Sequence, residues 1–235
     1  MPARPDPAVL RPLPFPAASV ARLVWPATLV VVVLGVLAEI GDYELGLPPA
    51  IVEALSLSYE ANVPTWLASA LLLSCAAVLA AVARIAHVRD DRDRHGWLVL
   101  ALMFVYLSID ETAQIHEHAA FFETSGVLTF SWVIPAAGVV LALGLAFLPF
   151  VRRLPDPTRR RFVIAGLVYV GGALGMELPL GWWADREGSD NLTYGLIDGV
   201  EESLELIGAT MFLLAVWAHH DGLTVEHASL DRGDA

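Results

Sequence analysis

Six apolar runs, each about 20 residues long, set the limits on what this chain can fold into. They cover roughly residues 20–41, 65–88, 96–122, 129–151, 162–184 and 194–219. At a rise of about 1.5 Å per residue, each can cross a hydrocarbon core of roughly 30 Å as a helix. None alternates apolar and polar residues as a barrel strand does. Backbone facing lipid must satisfy its own hydrogen bonds, so helices are expected. The composition agrees: 56% of the 235 residues are hydrophobic and only 17% are charged, where soluble domains carry about a quarter. The expected fold class is all-α, a polytopic membrane protein built as a bundle of six transmembrane helices over residues 20–220. A Pro-rich arm (1–19) precedes it and a short tail (221–235) follows. Six prolines in the first sixteen residues predict that the arm is extended and disordered.

The arginines orient the bundle. All fourteen basic residues are Arg. Arg4, Arg11 and Arg22 lie in or beside the arm. Arg84, Arg89, Arg92 and Arg94 flank the second loop, Arg152, Arg153, Arg159, Arg160 and Arg161 the fourth, and Arg232 lies in the tail. Arg186 alone falls on the other side. This bias predicts a bacterial-type inner membrane protein with both termini cytoplasmic. A rival reading takes "VLAEIGD" (Val36 to Asp42) as a signal-peptide cleavage site after Ala38. The apolar run and the arm before it are long for a signal peptide, so a retained first helix is expected.

Smaller features fill in the bundle. Segment 48–64 places Ile51, Val52, Leu55 and Tyr59 near one helical face, which predicts a short amphipathic helix on the membrane surface. Gly171 and Gly175 form a GxxxG that predicts close packing of the fifth helix. Cys75, the single cysteine, excludes a disulfide framework within the chain and reads as a small buried hydrophobe. Trp25, Trp66, Trp97, Trp182 and Trp183 read as an interfacial aromatic belt. His87, His95, His219, His220 and His227 read as solvated or interfacial groups at the cytoplasmic end. Nothing in the charge pattern points to nucleic acid.

The acidic residues gather on the extracytoplasmic side. Glu39 and Asp42 end the first helix, and "SIDETAQIHEH" (Ser108 to His118) ends the third. Glu177 lies in the fifth, and Asp198, Glu201, Glu202 and Glu205 begin the sixth. Counted from the outer surface, Glu117 and Asp198 lie about 6–9 Å deep, Glu177 about 10 Å, and Asp110 and Glu205 about 16–20 Å. At about 100° per residue, Asp110, Glu111, Gln114, Glu117 and His118 share one face of the third helix, and the four acids of the sixth share another. His116 falls on a different side. A carboxylate at mid-bilayer costs roughly 2.5–3.5 kcal/mol or more, so such stripes face a bundle interior. With no Arg there, bound cations, protonation or water must relieve the repulsion.

Carboxylates with one or two His suit divalent Fe, Mn or Zn. The expected metal ligands are Glu39, Glu111, Gln114, His118, Glu177, Asp198, Glu201, Glu202 and Glu205. Asp110 and Glu117 are the expected general acid or base. The arrangement resembles the di-iron and di-manganese carboxylate bundles in architecture, although no Glu-x-x-His occurs. The His-x-x-x-His zinc pair of alkaline-ceramidase-like membrane hydrolases is also lacking, so their chemistry is not carried over. Three classes of function fit. One is a metalloprotein, as a metal-dependent enzyme acting on a membrane lipid or another apolar substrate. The second is a transporter or channel for protons or divalent cations. The third is an accessory membrane subunit with a structural metal site. The apolar cytoplasmic halves of the third, fifth and sixth helices favour a cup open to the outside over a through-path.

Overall fold

A computed structural model describes residues 12–115 and 124–231, with side chains through 225. All regular structure among the described residues is helical. Helix α1 (Ala17–Ile40) continues into a π-helical turn, Gly41–Leu45. Then come α2 (Pro49–Leu55), α3 (Val63–Val88) and α4 (Arg94–Ala113). After a 3₁₀ turn at Gly126–Leu128 follow α5 (Val133–Arg153) and α6 (Asp156–Val170). A second π-helical turn, Gly171–Met176, joins α6 to α7 (Glu177–Glu187), and α8 (Leu192–Asp231) completes the chain. Five of these stretches are long and apolar enough to cross a membrane: Ala17–Leu45, Val63–Val88, Arg94–Ala113, Val133–Arg153 and Asp156–Glu187. The sixth expected crossing is the 40-residue α8. Its first half carries Asp198, Glu201, Glu202 and Glu205.

Local chemistry explains the helix ends. Asn62 caps α3, its Oδ1 accepting from the Thr65 backbone N–H at 3.1 Å, and Pro64 sits in the first turn, where its missing N–H costs nothing. Leu154 leaves α5 in an extended conformation because Pro155 disfavours a helical residue before it. α7 stops at Gly188, whose φ of 76° suits a residue without Cβ.

α8 is the central element, and its neighbours can be read off in register. Ser58 Oγ donates to Gly195 O at its start, and Thr210 pairs with Thr28 of α1 at 2.8 Å midway. Cys75 of α3 donates to Ala209 O at 3.7 Å. Near the end, Thr158 of α6 lies 3.3 Å from His219 Nδ1, Asp221 accepts from the Ala17 backbone N–H at 2.7 Å, and Arg89 reaches Leu223 O at 3.0 Å. So α3 runs parallel to α8, whereas α1 and α6 run antiparallel to it. α4 is antiparallel to α3, held by Ser69 and Ser108 at 2.9 Å. The Arg-bearing turns all meet at one end, where Arg153 forks onto Asp93. The acid-bearing ends meet at the other.

Between the ends lies an apolar core. Leu72, Cys75, Leu79 and Val82 of α3 are fully buried against Leu206, Leu213 and Val216 of α8. Cys75 thus has the expected role. An aromatic layer closes the Arg end. Trp97 meets Phe150 edge-on at 4.9 Å and stacks on His219 at 4.9 Å, while Phe212 contacts Phe104 and Phe162 at 4.5 Å each. α5 stands at the periphery, with Val139, Leu141 and Leu145 well exposed.

Four expectations are corrected here. Trp97 is not interfacial: it is 3% exposed, and His220 at 2% is also buried. Close helix packing does not run through Gly171 and Gly175, where an added methyl group would meet nothing within 4 Å. It runs instead through Gly172, where an added methyl group would lie 2.8 Å from Glu201 O, and Gly208, where one would lie 2.7 Å from the Tyr169 backbone. The π-helical turn explains this, because it rotates the Gly-rich segment away from its α-helical register. The surface helix expected over 48–64 shrinks to the seven residues of α2. Val52 is buried while Ile51 and Tyr59 are exposed, so the expected face is split. Finally, α4 ends at Ala113, and Gln114 adopts the left-handed conformation (φ 52°, ψ 40°).

Candidate functional site

Four helices, α1, α4, α7 and α8, carry carboxylates into the acid-bearing end, where they form three groups. Glu39, near the end of α1, is 3% exposed. Ser56 Oγ donates to it, and Ser56 Oγ in turn accepts from the Ser58 backbone N–H at 3.0 Å. The Glu39 side chain lies against Gly195 of α8, where an added methyl group would meet its carboxylate. The sequence places Ser56 at the point where α2 stops, so its hydroxyl is turned inward instead of continuing a helix.

A second group forms around Glu177, the first residue of α7. Trp132 Nε1 donates to Glu177 Oε1 at 2.9 Å. Glu201 of α8 lies within electrostatic reach of Glu177, Glu205 and Asp198. Glu201 is 6% exposed, and its buried Oε2 has no hydrogen-bond partner among the described residues. Leaving such a group unpaired costs about 1–3 kcal/mol, more for a charge.

The third group joins α4 to α8. Glu111 interacts electrostatically with Glu202 and Glu205 and with Glu60 and Asp110. Tyr169 of α6 donates its hydroxyl hydrogen to Glu205. Gly172 lets α6 come close enough for this, with Glu205 Cγ only 3.1 Å from where its Cβ would be. Glu60 is held by Thr65 Oγ1, which donates to its Oε2 at 3.1 Å. Among the described residues no Arg or His pairs with Glu111, Glu201, Glu202 or Glu205. The ion pairs Arg94–Asp90, Arg153–Asp93 and Arg159–Asp156 all lie at the opposite end.

The expected residues therefore divide. Glu111, Glu202 and Glu205 face one another across α4 and α8, and Glu177 faces Glu201. Glu39 sits apart on its own serine. Asp110 and Asp198 are half-buried beside these groups. Gln114, beyond the end of α4, no longer shares the helical face of Asp110 and Glu111. Glu117, His118 and His116 lie outside the described residues. No three His, Cys, Asp or Glu among the described residues converge closely enough to hold a metal ion.

Four contributors escape the sequence pattern: Glu60, Ser56, Trp132 and Tyr169. A signal existed for Tyr169. It is the single hydroxyl-bearing residue of the apolar run 162–184, eight positions before Glu177 and so about 12 Å deeper, near the level expected for Glu205.

Fold and site together define an all-helical protein with five helices suited to crossing a membrane and with carboxylates set into the interior of one end. A family model described as a domain of unknown function (DUF8692) matches residues 24–220, and the chain belongs to that family. No curated protein and no solved structure matches the chain.

Proposed function

We propose that this protein crosses a bacterial-type inner membrane six times, with both termini cytoplasmic, and binds a divalent metal ion at its extracytoplasmic end. The observation that carries the reading is the facing of Glu111 by Glu202 and Glu205, with a single tyrosine hydroxyl from Tyr169 and no basic side chain among the described residues to offset them. Like charges brought together away from water need a cation or protons. As a sixth crossing, α8 is supported by its partners, which run from Gly195 at the acid end to Leu223 at the Arg end.

The donor set is oxygen-rich, and with His118 it suits Fe, Mn or Zn. In the present conformation no three of the described His, Cys, Asp or Glu side chains converge on one ion. Binding then requires Glu111, Glu202 and Glu205 to swing together, with Asp198 and the Glu177–Glu201 pair beside them. Bound there, a metal ion would polarise an apolar or lipid substrate or activate water. Asp110, at the edge of the group, is placed to take or give a proton. The aromatic layer of Phe104, Phe162, Phe212 and Trp97 beneath the site supports binding or chemistry over a path for protons or cations.

The test is elemental analysis of purified full-length protein. Near-stoichiometric Fe, Mn or Zn is expected, with loss in Glu111→Ala and Glu202→Ala. Metal-free wild-type protein whose melting temperature ignores chelators would refute the reading. Divalent-cation or proton flux in proteoliposomes would move the function to transport.

A further inference from the structure

A second candidate site lies at the opposite end, facing outward between α1, α6 and α8. A groove of about 430 Å³ is walled by Ala18, Ala21 and Trp25 of α1 and by Met211 and Ala218 of α8, with Arg161 of α6 on its border. The three alanines let the helices part without a side chain to fill the gap. Arg161 is the one charged residue of the lining. It forms no ion pair or hydrogen bond among the described residues, and neither does its neighbour Arg160. Arg22 sits on the adjoining face of α1 and is also exposed. The acids nearby are already engaged, since Asp221 accepts from the Ala17 backbone N–H at 2.7 Å and Asp156 pairs with Arg159 at 2.5 Å.

From this we infer that the groove binds one anionic phospholipid, its acyl chain along the alanines and its phosphate against Arg161 and Arg160. Charge complementarity selects the occupant. An apolar slot in a membrane takes a hydrocarbon chain of any lipid, but unpaired arginines at its mouth favour a negative headgroup. The inference rests on the membrane reading alone and is independent of the metal site.

Native mass spectrometry of the full chain released from detergent tests it, with dioleoylphosphatidylglycerol and dioleoylphosphatidylcholine supplied equally. Wild-type protein should retain one phosphatidylglycerol with about a fivefold preference for each arginine engaged. Arg160→Gln with Arg161→Gln should abolish the preference, and Ala21→Trp should expel the bound lipid by filling the slot. Equal retention of the two lipids by wild-type protein, or a preference that survives the double Gln variant, overturns the inference. The first of these needs no variant to fold.

Discussion

Gly208→Ala tests how α8 is held. A methyl group at Gly208 would lie 2.7 Å from the Tyr169 backbone nitrogen and 2.8 Å from its Cα. Ordinary contact begins at 3.4 Å, so the two backbones must part by about 0.7 Å. No side chain can rotate away to relieve this, because the opposing atoms are main chain. Overpacking of a tight interior costs roughly 1–3 kcal/mol, while replacing Gly by Ala in a helix returns about 0.8–1.0 kcal/mol. A backbone collision belongs in the upper part of the first range, leaving a net loss of about 1–2 kcal/mol, or a melting temperature lower by roughly 2–8 °C. Gly166→Ala in α6 is the control, since its methyl group would meet nothing within 4 Å. It should be neutral or stabilising by up to about 1 kcal/mol. Both are read by thermal unfolding of detergent-solubilised protein, followed by tryptophan fluorescence. If Gly208→Ala melts at or above the wild-type temperature, α6 and α8 are not packed backbone to backbone and the account of the site's scaffold fails.

Other perturbations probe the polar groups. Ser56→Ala leaves buried Glu39 without its hydroxyl donor and should cost about 1–3 kcal/mol in the same melt. An unchanged melt would mean that water takes the place of Ser56. Thr28→Val and Thr210→Val each strand one hydroxyl of a buried pair, so the double variant should lose less than the sum of the singles. Strict additivity would contradict the pairing. Asp93→Asn weakens the fork from half-exposed Arg153 and should lower the melting temperature only slightly, less so in high salt. A salt-independent loss would point to packing instead of charge.

The bundle was readable from sequence because apolar length is a strong constraint in lipid. The runs at 65–88 and 129–151 match α3 and α5 to within a few residues. Errors cluster where local chemistry overrides periodicity. Gln114 leaves the helix one residue after Ala113, so the azimuth counted for it at a constant 100° fails. The π-helical turn at Gly171–Met176 breaks the same counting in the fifth run and transfers close packing from Gly171 to Gly172. Glu60 escaped because a loop residue has no period at all. Only the fold of 56–62, tied by Asn62 to Ser56 O and Tyr59 O at 2.7 Å each, brings it inward. The histidines were misjudged for the opposite reason. His219 and His220 follow an apolar run closely enough to look interfacial, yet the aromatic layer around Trp97 extends past them.

α8 is the most acidic of the long helices. Its neighbours hold it in register along its length, from Glu39 beside Gly195 to Arg89 at Leu223. What lowers its apolarity is Asp198, Glu201, Glu202 and Glu205, and these turn toward Glu177 and Glu111. A lone helix carrying those four acids would be poorly suited to lipid, at roughly 2.5–3.5 kcal/mol for each deep carboxylate. Enclosed by α1, α3, α6 and α7, it exposes them to one another instead. Glu201→Leu with Glu202→Leu would then make α8 more apolar and the protein more stable in detergent while removing bound metal. A destabilised variant would show that these carboxylates hold the bundle together.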